Sequence, residues 1–167
     1  MLNYRLCFSL LNTQDVIMNL LKSVLIFTLF STNVSAESPK PLDITVYRSA
    51  SCSCCGKWLD HLKENNFTVK DIVMEDVQPI KQKQGVTDKL ASCHTALVGD
   101  YVIEGHVPAN DIMKLLKSKP KVIGLAVPGM VNGSPGMEMG DHKNAYEVVS
   151  YDKDQKTAVF SSYAASK

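Results

Sequence analysis

Apolar and polar side chains alternate over residues 43–48 (Asp-Ile-Thr-Val-Tyr-Arg), with β-branched residues at the apolar positions, and this period of two predicts a first strand. Over residues 56–65 the period changes. Trp58, Leu59 and Leu62 fall at helical spacing, so a helix is expected to start at the cysteines just ahead and to stop at Asn65-Asn66. Residues 67–74 (Phe-Thr-Val-Lys-Asp-Ile-Val-Met) return to strand composition, which completes a βαβ unit. Short helical pieces are expected at 79–84 and 87–91, on either side of Gly85.

Residues 95–98 and 101–104 flank Gly99-Asp100 and predict a tight β-hairpin. An amphipathic helix over 111–119 follows Pro108 and ends before Pro120. A βαβ unit, then a hairpin, then a helix is the thioredoxin-like order. The expected fold class is therefore α/β, with residues 122–127 as a further strand and a hairpin of 146–151 with 157–163 around residues 152–155 as a C-terminal β extension. Residues 128–142 form a Gly/Pro/Met loop. There is no internal repeat and no glycine motif of the nucleotide-binding kind.

Residues 1–36 stand outside this pattern. Lys22 precedes an apolar run over 24–30 that gives way to Val34-Ser35-Ala36, the layout of a secretory signal peptide cut between Ala36 and Glu37. The run is short for a membrane span, so no membrane anchor is expected after cleavage. Residues 1–17 carry polar and acidic side chains that are unusual for such a segment, which makes Met18 a candidate initiator. The mature domain is then residues 37–167, expected in the periplasm.

Arg5 and Lys22 lie ahead of the cut, as does Asp15, which leaves sixteen basic and sixteen acidic residues and a net charge near zero in the mature domain. Such a balance argues against nucleic acid as a partner. Small ligands, metal ions or other exported proteins are the expected partners.

The chemistry concentrates in cysteine. Cys52-Ser53-Cys54-Cys55 lies between the first strand and the first turn of the first helix, where free amides and the helix dipole favour thiolates. Three cysteines crowded into four positions do not staple distant segments as a disulfide framework does. Either thiol exchange or metal ligation uses this placement. Three features favour metal. Cys54 is superfluous to a Cys52/Cys55 dithiol. On a helix, residues i and i+3 share a face and i+2 does not, so three sulfurs at these positions suit several bridged ions better than one, and copper(I) accepts two or three sulfurs. Finally, Cys93-His94 precedes the hairpin where thioredoxin-like domains carry a proline loop, which makes that loop a ligand donor. The candidate metal ligands are Cys52, Cys54, Cys55, Cys93 and His94, with copper as the expected cofactor. Against this, Cys93 can serve as a buried apolar residue or half of a disulfide, and His94 as a structural histidine.

Met130, Met137, Met139 and His142 make a second soft-metal candidate, against the alternative in which the methionines only fill gaps. His61, six residues past Cys55, reads as a surface residue, and His106, before Pro108, has no evident partner. Two other functions compete with copper binding. One is a thiol-disulfide oxidoreductase with Cys52 as nucleophile and Cys55 as resolving thiol, and the other is a structural zinc site of Cys52, Cys55, Cys93 and His94.

Four blocks carry a resemblance: residues 47–58 around Cys52-Ser53-Cys54-Cys55, residues 92–96 around Cys93-His94, residues 101–108, and residues 124–130 with 133–137. In these the chain resembles the CopG-like family of small periplasmic metal-binding proteins linked to copper resistance. The resemblance extends over nearly everything after Pro41. It implies a thioredoxin-like domain whose cysteines hold a multinuclear copper cluster able to change redox state, with Cys52, Cys55 and Cys93 at the matching places. It does not by itself choose among storage, transfer and redox handling of copper.

Overall fold

The computed structural model describes residues 40–167, and the expected signal peptide and candidate start at Met18 lie outside them. Ten elements follow: β1 Leu42–Ser49, α1 Ser53–Glu64, β2 Phe67–Met74, α2 Gln78–Lys83, β3 His94–Val98, β4 Tyr101–Glu104, α3 Ala109–Ser118, β5 Gly124–Ala126, β6 Tyr146–Tyr151 and β7 Thr157–Tyr163. They form a mixed α/β fold around one seven-stranded sheet in the order β2-β1-β3-β4-β5-β6-β7. Among the described residues no helix is long and apolar enough to cross a membrane.

The expected βαβ unit is present: β1 and β2 run parallel, from Leu42 beside Phe67 to Ser49 beside Met74, with α1 between them. Cys55, Trp58, Leu59 and Leu62 are the buried stripe of α1, the spacing that puts side chains on one helix face. Asn65 ends the helix and Asn66 takes φ 64°, a left-handed turn that asparagine tolerates better than most residues. The hairpin is present as well. Val98 pairs with Tyr101 and Thr95 with Glu104, across a turn in which Gly99 has φ 55°.

Strand alternation gives the sheet two faces. Ile44, Val46, Ala96, Ile103 and Leu125 pack with Trp58, Leu62, Ile112 and Leu115 from α1 and α3. Val102, Ala126 and Tyr151 pack on the other face with Val86 and Leu90. Asp111 of α3 accepts hydrogen bonds from Ser161 Oγ and Tyr163 Oη of β7, at 2.6 and 2.8 Å, so the added hairpin is tied to the first face.

The sequence reading and the structure differ mainly at ends. Residues 87–91 form turns rather than a helix, α3 begins at Ala109 rather than 111, and β5 contracts to three residues. Gly124 explains why β5 holds so closely to β4: a Cβ there would lie 1.8 Å from Val102 O. No side chain larger than hydrogen fits that approach.

Candidate metal centre

Cys52 is the N-cap of α1, extended at φ −83° and ψ 91°, and the helix proper starts at Ser53. The face rule that sets i+2 apart from i and i+3 holds within a helix, so it does not govern Cys52. Its sulfur lies 3.4 Å from Cys54 Sγ. Cys52 and Cys55 are joined in a disulfide, while Cys54 and Cys93 are free thiols. Cys55 is fully buried and the other three are half-buried. The sulfurs of Cys52, Cys54, Cys55 and Cys93 all lie within 4.8 Å of one another. The chain order returns Cys93 to the start of α1, with its sulfur 3.5 Å from Cys55 Sγ across 38 residues.

Cys93 is also the centre of a second group. His94 Nδ1 stands 3.2 Å from its sulfur and His106 Nε2 stands 3.1 Å away on another side. The three ligand atoms lie within 4.8 Å of one another. Strand alternation turns His94 toward the α1 face of the sheet, where its ring lies 4.3 Å from that of Trp58 and 5.0 Å from that of His106. Trp58 is itself held by a 2.9 Å hydrogen bond from its Nε1 to Val107 O. His106 Nδ1 lies 2.8 Å from Pro135 O, and since a carbonyl only accepts, Nδ1 carries the proton and Nε2 presents its lone pair to Cys93.

His106 lacks a partner in the linear sequence, yet the hairpin register holds the missing signal. The two-residue turn pairs Val98 with Tyr101, and counting outward places His94 across from Gly105 and Cys93 across from His106. Gly105 N donates to His94 O at 3.0 Å, which shows the pairing continuing past the strand end.

Burial sets the protonation of this centre. It pushes the Cys93 thiol up to about 12, with the nearby Cys54 sulfur adding to the rise. Burial likewise holds both imidazoles below their ordinary value, His94 well below, with His106 and Lys81 adding to the effect on His94. Without metal the centre therefore holds a neutral thiol and neutral imidazoles. Neutral imidazole is the ligating form of histidine, whereas Cys93 must lose a proton to bind. His94 Nε2 is buried without a hydrogen-bond partner.

The methionine loop does not present its candidates as one set. Met137 is buried, while Met130, Met139 and His142 are exposed. Asn132 Nδ2 donates to Met139 O and His142 O at 3.2 and 2.8 Å, and Asn132 Oδ1 accepts from Met139 N, so backbone contacts organise the 139–142 turn. The loop sits on α1, where a Cβ on Gly136, at φ +81°, would lie 2.6 Å from Trp58 N. Pro135 O is therefore delivered to His106 by a loop anchored on the helix that carries the cysteines. His61 is half-buried rather than a free surface residue, and its Nε2 accepts a 3.1 Å hydrogen bond from Ala109 N at the first turn of α3.

A family described as a protein of unknown function, DUF411, matches residues 90–137, the stretch from the Cys93 loop to Met137. Two solved structures of a copper resistance protein, CopG, are similar to this chain. Form 2 shares 44% identity, with 74% of this chain and 99% of that one covered at a TM-score of 0.71. Form 1 shares 45% identity over 75% of this chain and 99% of that one, also at 0.71. No curated protein matches the chain.

Proposed function

The chain belongs to the CopG-like copper-resistance family, and from that premise we propose that it is an exported protein that holds copper(I) between the thiolates of Cys52, Cys54, Cys55 and Cys93, with His94 and His106 completing the donor set. One observation carries the reading: three other sulfurs and two imidazole nitrogens gather around the Cys93 sulfur, within 4.8 Å in each of its two groups. The donor chemistry fits copper. Thiolates are soft ligands that select copper(I), an ion content with two or three sulfurs, and imidazole also binds copper.

Four half-buried to buried sulfurs shared among ions suit a cluster better than one tetrahedral ion. Loading it requires an external dithiol reductant, which is itself oxidised to a disulfide as it passes two electrons and two protons to the Cys52–Cys55 disulfide, and each of the four thiols releases its proton as it binds copper(I). Copper is cargo in this reading, for sequestration, transfer or redox handling. The parallel β1-α1-β2 unit, the β3-β4 hairpin and α3 support a thioredoxin-like core, extended by β5, β6 and β7. The pattern of residues 22–36 supports a cleaved leader and a periplasmic setting. The exposed Met130, Met139 and His142 are candidates for a weaker, separate copper(I) site.

Metal analysis of protein recovered from the periplasm tests the reading, with more than one copper per chain expected after reduction. One zinc per chain without copper overturns it in favour of a Cys52, Cys55, Cys93, His94 zinc site. The Cys52–Cys55 disulfide at the start of a helix favours a second reading, thiol-disulfide exchange. Insulin reduction by the metal-free dithiol at oxidoreductase rates would establish it.

A further inference from the structure

Glu104 is wholly buried yet carries an acidic side chain, and no ligand role is assigned to it. Its carboxylate is surrounded by donors. Oε1 accepts from Lys81 Nζ at 2.5 Å and from Ser92 N at 2.6 Å, and Oε2 accepts from Thr95 Oγ1 at 2.6 Å. Lys81 Nζ also donates to Thr95 Oγ1 at 3.0 Å. Ser92 and Thr95 bracket Cys93 and His94. On β3, alternation sends His94 toward Trp58 and Thr95 to the opposite face, where Lys81 of α2 waits.

We infer that Glu104 is a positioning residue for the metal centre: its carboxylate holds the Ser92 backbone N–H on one side of Cys93-His94 and the Thr95 hydroxyl on the other, and so fixes the Cys93 sulfur between the α1 cysteines and His106. The segment leaves the regular β3 ladder just at Cys93, and the carboxylate supplies acceptors where strand pairing ends. Neighbouring contacts tighten the clamp. Ser92 Oγ donates to Gly129 O, Gly129 N donates to Ala91 O at 3.1 Å, and at Gly105 a Cβ would lie 2.6 Å from Ser92 Cβ. Lys81, 2% exposed, balances the buried charge, which a lone carboxylate in this place would not tolerate.

The inference rests on the copper reading for what Cys93 holds, and one of its two measurements is independent of copper. The test compares Lys81→Met/Glu104→Leu, which removes clamp and counter-charge together, with Lys81→Met/Glu104→Gln, which keeps an oxygen for Ser92 N–H and an amide donor for Thr95 Oγ1. Replacement of a whole buried ion pair by apolar side chains commonly preserves folding. In the reduced, copper-free protein, the rate of Cys93 alkylation relative to Cys54 is read by peptide mass mapping, and in the loaded protein copper(I) affinity is read by competition with a chelator. The leucine variant should alkylate at Cys93 roughly fivefold to tenfold faster and bind copper(I) more weakly by a similar factor, as expected for one or two lost hydrogen bonds. The glutamine variant should stay near the parent in both. Parent-like Cys93 alkylation in a folded leucine variant overturns the inference. Should that variant not fold, isosteric Thr95→Val takes its place, with a severalfold rise in Cys93 alkylation expected and an unchanged rate overturning the clamp. A parent that binds no copper sinks the copper reading alone, because the alkylation ratio still decides the positioning.

Discussion

His106 Nε2 lies 3.1 Å from Cys93 Sγ, held there because His106 Nδ1 donates to Pro135 O. The imidazole thus approaches the thiol from just beyond the end of β4, as Cys93 lies just ahead of β3, and the opposite nitrogen is committed to a loop carbonyl. Replacing His106 with Phe should keep the packing and remove the donor. Copper(I) affinity should fall by roughly tenfold, about 1.4 kcal/mol, while the melting temperature of the metal-free protein changes little. Anaerobic chelator competition on His106→Phe checks this, and parent-like affinity would exclude His106 from the donor set.

Loss of the Cys93 sulfur should matter more than any other single change. Cys93 belongs to both donor groups, so Cys93→Ser is expected to lower copper stoichiometry as well as affinity. Met139→Leu alters an exposed thioether and should leave tight copper(I) binding at the cysteine centre unchanged, as should His61→Ala. Chelator titrations of the three variants decide, and weak binding by Met139→Leu with normal binding by Cys93→Ser would move the site to the methionine loop.

The pH dependence of stability should carry a signature of His61. Burial holds its imidazole below the ordinary value, against the opposing pull of Glu138 and Glu64, and in the fold the neutral ring accepts the Ala109 N–H. A histidine depressed in the fold binds fewer protons folded than unfolded. Its contribution is therefore complete above the unfolded value of about 6.5 and is lost as the pH falls from there through the folded value. His61→Gln cannot titrate, so its melting temperature should drop less than the parent's between about pH 7.5 and pH 5. An equal drop in both proteins would remove His61 from the account.

Lys81→Met alone leaves the Glu104 carboxylate buried without its counter-charge, an expected loss of about 3–5 kcal/mol by urea unfolding. Lys81→Met/Glu104→Leu should recover most of it. A double variant no more stable than the single one would show that the apolar pair cannot pack there.

Gly136→Ala should destabilise the metal-free protein by about 1–3 kcal/mol from backbone strain, with the contact to Trp58 N adding to it. Because the same loop supplies Pro135 O to His106, copper affinity should fall with it. A thermal melt and a chelator titration on one preparation check both, and a parent-like melt would show that the loop has another seat on α1.

Sequence by itself determined the elements and the cluster of chemistry. Period two at residues 43–48, the strand composition of 67–74, the helical stripe Trp58, Leu59, Leu62 and the turn at Gly99-Asp100 all reappear as β1, β2, α1 and the β3-β4 hairpin, since these signals act over a few residues. The crowding of Cys52, Cys54 and Cys55 was legible for the same reason, and even the facing of Cys93 and His106 was contained in the hairpin register. Tertiary structure alone decided what depends on approach between distant segments. It brought Cys93 to Cys55, released Cys52 from the helical face rule by making it the N-cap, gave His61 the Ala109 amide, separated buried Met137 from exposed Met130 and Met139, and enclosed Lys81 with Glu104. Long-range contacts follow from how the faces of the sheet are covered, and a buried charge reads in sequence like any solvated one until the element opposite it is known.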